Sequence, residues 1–201
     1  VAFWMLYSKG VSFFAYTFSR LFVKGQIWNS LVNYAMLFIA VPIIEKIKYN
    51  TVILNNKDYN EKYRQGFNMN KLKAILHNKV LSNLKQEGLP YDYIVVDQFA
   101  EKYVYFSYLK ESSNVVRDIT FVTKGEDKSL AVACASLISR YIFIKEFSKI
   151  SKDLGILLPK GASDKVDEVG VKIVEKYGFD KLNEVAKLNF KNTDKILNYN
   201  K

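Results

Sequence analysis

The stretches Tyr93-Ile94-Val95-Val96-Asp97 and Ile119-Thr120-Phe121-Val122-Thr123-Lys124-Gly125-Glu126 decide how this chain folds. Both open as short apolar runs rich in β-branched residues and bounded by polar ones, the pattern of buried strands. Each run carries a carboxylate toward the edge of a sheet, Asp97 directly and Glu126 a few residues later. Carboxylates so placed suit a hard divalent cation, because Mg²⁺ and Mn²⁺ take oxygen ligands. Two of them make a thin site. A phosphodiester-cleaving centre with two ions about 4 Å apart draws on more oxygen ligands than one pair supplies.

Around these runs the periodicity alternates. Thr51 to Leu54 reads as a strand, ended by Asn55-Asn56-Lys57-Asp58. Leu72, Ile75, Leu76, Val80, Leu81 and Leu84 recur at helical spacing over about Met69 to Lys85, with Gly88 and Pro90 as stop signals. A helix of about Gln98 to Leu109 and the loop Ser112-Ser113-Asn114 separate the two deciding strands. Beyond Glu126, a helix of about Ser129 to Ile150 opens on the small residues Ala131, Ala133, Cys134, Ala135 and Ser136, which permit close packing on a sheet. Two more helices follow, about Ser163 to Lys176 and Asp180 to Leu188. Strands alternating with helices predict an α/β fold, a sheet flanked by helices.

With 201 residues and 49% hydrophobic content, the chain can bury a sizeable core and is not globally disordered. Thirty Lys plus Arg against twenty Asp plus Glu give a net charge of +10, which draws polyanions and suits a nucleic-acid partner. The single cysteine, Cys134, excludes an internal disulfide and a cysteine-rich zinc site, and fits a reducing compartment such as the cytoplasm. It reads as a core filler rather than a nucleophile. The single histidine, His77, excludes a histidine metal cluster and reads as structural on its helix face.

Residues 1–42 differ from the rest, for they contain no Asp or Glu. Gly25 to Ile44 is uncharged and close to the roughly 20 residues a membrane helix needs, but Gln26, Asn29, Ser30, Asn33 and Pro42 weaken that reading in favour of buried strands or helix. The aromatic residues Phe3, Trp4, Tyr7, Phe13, Phe14, Tyr16 and Phe18 suggest core more than a platform for stacking bases.

From about Ile43 to its end, the chain resembles the bacterial ribonuclease HIII family, a branch of the type 2 ribonucleases H. The resemblance rests on six motifs in order: Tyr59-Asn60; Asn68-Met69-Asn70-Lys71-Leu72-Lys73-Ala74-Ile75-Leu76-His77-Asn78; Val96-Asp97-Gln98-Phe99; Lys124-Gly125-Glu126-Asp127-Lys128-Ser129 running into Ala133-Cys134-Ala135-Ser136; Leu158-Pro159-Lys160-Gly161-Ala162-Ser163; and Ala186-Lys187-Leu188-Asn189-Phe190-Lys191-Asn192-Thr193. It implies an RNase H-like mixed sheet flanked by helices and an endonuclease that cuts the RNA strand of RNA/DNA hybrids with Mg²⁺ or Mn²⁺. It also implies a cytoplasmic monomer with no small-molecule cofactor.

In that family four acidic residues hold the metal: an adjacent Asp-Glu pair on the first strand, then the positions that match Asp97 and Glu126. Here the later two are present and residues 1–42 lack the pair. The expected organisation is an atypical apolar and aromatic segment over 1–42 and a partial ribonuclease H-like domain over 43–201, with the N-terminal strands replaced or missing. A truncated enzyme of weak or no activity follows from that expectation, and its alternative is a non-catalytic nucleic-acid-binding remnant. By residue type alone, Asp97 also fits the N-cap of the helix after it, and Glu126 the positive end of a helix; the resemblance favours metal ligation for both. Lys124, Lys128, Lys160, Lys187 and Lys191 fall on loops and helix starts that in this fold face the hybrid, where they would neutralise phosphates. Asn189 stands where many relatives carry histidine.

Overall fold

A computed structural model describes residues 2–6, 41–42, 44–161 and 163–199 of the chain. Strands β1 (Ala2–Leu6) and β2 (Tyr49–Ile53) pair antiparallel, Ala2 opposite Ile53 and Leu6 opposite Tyr49. Then come helices α1 (Asn56–Arg64) and α2 (Met69–Gln86), strand β3 (Ile94–Asp97), the short helix α3 (Lys102–Ser107) and strand β4 (Ile119–Val122). β3 and β4 lie parallel, with Ile94 opposite Ile119 and Asp97 opposite Val122. The remainder is helical: α4 (Gly125–Lys128), α5 (Leu130–Leu154), α6 (Asp164–Tyr177), α7 (Phe179–Val185) and α8 (Lys191–Leu197).

The fold is mixed α/β and mostly helical, with a small parallel sheet built from the two strands that the deciding stretches predict. Among the described residues the strands form two separate two-stranded sheets rather than one. Most of the uncharged stretch from 25 to 44 lies outside the described residues. Within them, no helix is long and apolar enough to cross a membrane. The expected helix from Gln98 starts later, at Lys102. The reason is local: the Gln98 N–H donates to the Val122 carbonyl at 2.8 Å, which keeps the chain paired with β4 one residue beyond Asp97.

Contacts divide the chain into two compact units. One holds the described residues of 2–53 and 69–142. Its core gathers Ala74 and Leu81 of α2, Ile94 and Val96 of β3, Tyr105 of α3, Leu109, Val116 and Ile119. Tyr105 is completely buried, with ring contacts to Phe99, Phe106 and Phe121 at 5.0 to 6.0 Å between centroids, and burial raises the pKa of its phenol. The loop at Ser112-Ser113-Asn114 is pinned by the buried Asn78 side chain, which donates to the Asn114 carbonyl at 2.6 Å and accepts from the Val116 N–H at 3.0 Å. In α5, Ala133, Cys134 and Ala135 are buried as their small size predicts. Burial also pushes the Cys134 thiol up, so thiolate is disfavoured there.

The other unit holds the described residues of 54–68 and 143–199, around Leu154, Val171, Ile173, Leu182 and Ile196. Helices α6 and α8 are joined by the buried Asp167, which accepts from Asn192 and pairs with Lys195 at 3.1 Å. Gly170 makes their close approach possible, because a Cβ at that position would collide with Ile196.

Candidate metal and nucleic-acid site

β3 ends on Asp97, beside Val122 at the end of β4. After Val122 the chain turns through Lys124, at φ 54° the one described non-glycine residue with a positive φ, and enters the single turn of α4. A lysine there sits in the left-handed region at a cost of roughly 1 kcal/mol, and such residues cluster where function constrains the backbone. Glu126 follows in the first turn of α4, and both carboxylates are exposed.

The Asp97 carboxylate has a specific anchor. Its Oδ1 accepts the Gly125 N–H at 2.7 Å, while the N-cap of α3 falls to Glu101, whose side chain makes no cap bond. So Asp97 does not cap the helix that follows it in sequence; it fixes the start of α4, a turn 28 residues away that carries Glu126. Gly125 leaves little room for a side chain. A Cβ there would lie 3.2 Å from each of Asp97 Cβ, Asp97 Oδ1 and Val122 Cγ2. Gly125→Ala is therefore expected to lower stability by about 1–2 kcal/mol through overpacking, seen as a lower urea midpoint at unchanged m value. An unchanged midpoint would mean that Asp97 gives way freely.

Whether these residues suit a metal follows from their donors. With Oδ1 engaged, Asp97 keeps a second oxygen, and Glu126 adds a carboxylate one residue beyond the anchored Gly125. Among the described residues, no group of three or more His, Cys, Asp or Glu gathers in a way that could hold a metal. Mg²⁺ commonly keeps several waters and is held by one or two carboxylates, so two carboxylates are the donor type that one hydrated hard ion takes. A two-ion centre would need oxygen ligands beyond these two.

The five lysines fall in two groups. Lys124 precedes α4 and Lys128 ends it, in the unit that holds Asp97 and Glu126, and Lys128 Nζ lies 3.4 Å from Thr123 Oγ1. Lys160, Lys187 and Lys191 belong to the other unit. Lys160 lies over the Phe147 ring at 5.7 Å, Lys187 over the Tyr59 ring at 4.5 Å, and Lys191 is exposed at the start of α8. His77 packs edge-on against Phe99 at 5.2 Å, a structural place, and burial brings its pKa down to about 4.

Sequence reasoning assigned no role to Tyr59 and Asn60, although it singled them out as a motif. Both are buried on α1, and both reach the loop between α7 and α8. The available signal was a polar pair in a short helix with no place in any apolar stripe.

The model of the family described as ribonuclease HII matches residues 30–193. A ribonuclease HIII of Bacillus cereus is 41% identical over 162 residues, covering 79% of this chain and 52% of the relative. One of Bacillus anthracis is 41% identical over 160 residues, covering 78% and 51%. The chain thus spans about half the length of the curated relatives it matches. Among solved structures, Bst-RNase HIII in complex with Mn²⁺ superposes with a TM-score of 0.80 at 36% identity, over 84% of this chain and 56% of that one. Aquifex aeolicus RNase H3 gives 0.61 at 26% identity, over 81% and 57%.

Proposed function

The chain belongs to the ribonuclease HII family, alongside its ribonuclease HIII members, and from that membership we propose that it derives from a metal-dependent endoribonuclease acting on the RNA strand of RNA/DNA hybrids. The observation that carries the reading is Asp97 at the end of β3, tied by its Oδ1 to the turn that bears Glu126, in a chain similar to a ribonuclease HIII solved with Mn²⁺. Asp97 and Glu126 would hold Mg²⁺ or Mn²⁺. An ion bound there would supply Lewis acidity toward a phosphodiester and a lowered pKa for water.

The chain's own groups do the rest. The Gly125 N–H holds Asp97 in place, so its free oxygen is positioned without rearrangement. Lys124, Lys128, Lys160, Lys187 and Lys191 neutralise phosphates, and the hybrid is recognised by its shape and 2′-hydroxyls rather than by base identity. With no Asp or Glu in residues 1–42, the chain carries two of the four acids the family uses, and we assign it weak or no turnover. The second reading, a nucleic-acid binder without cleavage, is favoured by the +10 net charge. We propose a cytoplasmic monomer; for the compartment, the support is the free and buried Cys134 thiol, which suits reducing conditions.

The test is a labelled RNA/DNA hybrid incubated with the purified chain in Mg²⁺ and then Mn²⁺, beside Asp97→Asn. Salt-dependent binding with little or no cleavage is expected, and any slow Mn²⁺-dependent cleavage should vanish in Asp97→Asn. Brisk cleavage lost in Asp97→Asn would mean that residues 1–42 or a second subunit supply further ligands. Brisk cleavage that survives in Asp97→Asn would remove Asp97 from the site.

A further inference from the structure

We infer that Tyr59, backed by Asn60, is a positioning residue that holds the Lys187 ammonium ready for a phosphate of a bound nucleic-acid strand; the inference rests on the nucleic-acid reading above and deepens it. The loop in question, residues 186–190, links α7 to α8 and carries no regular structure to fix it. Its fixation comes instead from α1. Asn60 Nδ2 donates to the Asn183 carbonyl, to Asn183 Oδ1 and to the Ala186 carbonyl at 2.8 to 3.0 Å, and Asn60 Oδ1 accepts the Leu188 N–H at 2.9 Å. The residues on both sides of Lys187 are thereby bonded to one buried side chain.

Tyr59 then acts on the loop's side chains. Its hydroxyl donates to Asn189 Oδ1 at 3.1 Å, and its ring face lies 4.5 Å beneath Lys187 Nζ. Tyr59 is 2% exposed and stacks on Tyr63, so the ring is itself immobile. A lysine normally has many rotamers to lose when it meets a phosphate. Seated on a fixed ring, the Lys187 ammonium has given up much of that freedom before binding. Lys191 opens α8 a few residues on, so the ordered loop offers a second cation to the same strand.

The experiment measures binding of the full chain to a labelled RNA/DNA hybrid, without divalent ion, across a KCl series. Lys187→Ala is expected to shallow the slope of log affinity against log salt by about 0.7–0.9, one phosphate contact. Tyr59→Leu is expected to do the same, Tyr59→Phe to keep the wild-type slope because the ring remains, and Tyr59→Leu with Lys187→Ala to match Lys187→Ala alone. The slope separates positioning from folding, since an inactive fraction lowers the amount bound and not the slope. A wild-type slope in Tyr59→Leu when Lys187→Ala has lost one contact overturns the inference and leaves the nucleic-acid reading intact. A wild-type slope in Lys187→Ala overturns it as well, and a wild-type chain that binds no hybrid overturns both.

Discussion

Asn60→Leu is expected to destabilise the protein by about 3 kcal/mol, a larger effect than a typical single substitution. Leucine has the same branched shape with larger methyl groups, so no cavity opens, and the cost combines the polar groups left behind with crowding where contacts of 2.8 to 3.0 Å now sit. Asn60 is 3% exposed and uses both ends of its amide, three donor contacts and one acceptor, on the turn from Asn183 to Leu188. Without it, the Leu188 N–H and the Ala186 carbonyl lose these partners in a half-buried place, each at about 1–3 kcal/mol, and the apolar gain of leucine offsets part of the sum. Asn60→Asp should be no rescue. It keeps an acceptor for Leu188 but turns a carboxylate oxygen toward two carbonyl oxygens. Urea unfolding gives the size of the loss, and hydrogen exchange at the Leu188 amide gives its location. A loss under about 0.5 kcal/mol would show that water replaces the clamp at no cost, and the ordered loop argued for Lys187 would go with it.

The parts of this fold written in local pattern were legible in advance. β3 and β4 were announced by β-branched runs, α2 by its apolar stripe, and the tight placement of α5 by its small residues. Asp97 and Glu126 stood out as carboxylates at or just beyond the ends of such runs, and the family resemblance decided between metal ligation and a place at a helix start. What escaped were contacts whose partners are remote. The bond from Gly125 to Asp97 spans 28 residues, and Asn60 reaches 123 to 128 residues along the chain. No window of sequence relates such positions. The turn after β4 escaped for another reason: it uses a positive φ at Lys124, a residue type that gives no sign of one. The same distinction explains why the Tyr59-Asn60 motif was visible as a pattern while its work was not.

His77 offers the second large effect, and an unusually clean one, since it is the only histidine in the chain. Its imidazole is pushed down to about 4, first by burial and then by the neighbouring Lys73 ammonium, which lies over the same Phe99 ring at 5.4 Å. The folded pKa is thus below the unfolded one. The unfolded chain takes up a proton near pH 6.5, and the folded chain does not until about pH 4. Stability from this group is therefore complete above pH 6.5 and is lost as pH falls toward 4. At about 1.4 kcal/mol per pH unit the loss is on the order of 3 kcal/mol across that window. Carboxylates titrate mainly at its lower end, so the decline between about pH 6 and 5 belongs to His77. His77→Phe keeps an aromatic ring against Phe99 and removes the proton site, so its stability should be flat over that interval. A wild-type profile equally flat there, or an imidazole titrating near 6.5 by NMR, would place His77 in water rather than against Phe99. The consequence reaches the site through the chain itself, because Phe99 follows Asp97 by two residues. The ring against which His77 packs belongs to the segment that leaves the end of β3, so the acid sensitivity expected of α2 is expected to reach that segment through one packing contact.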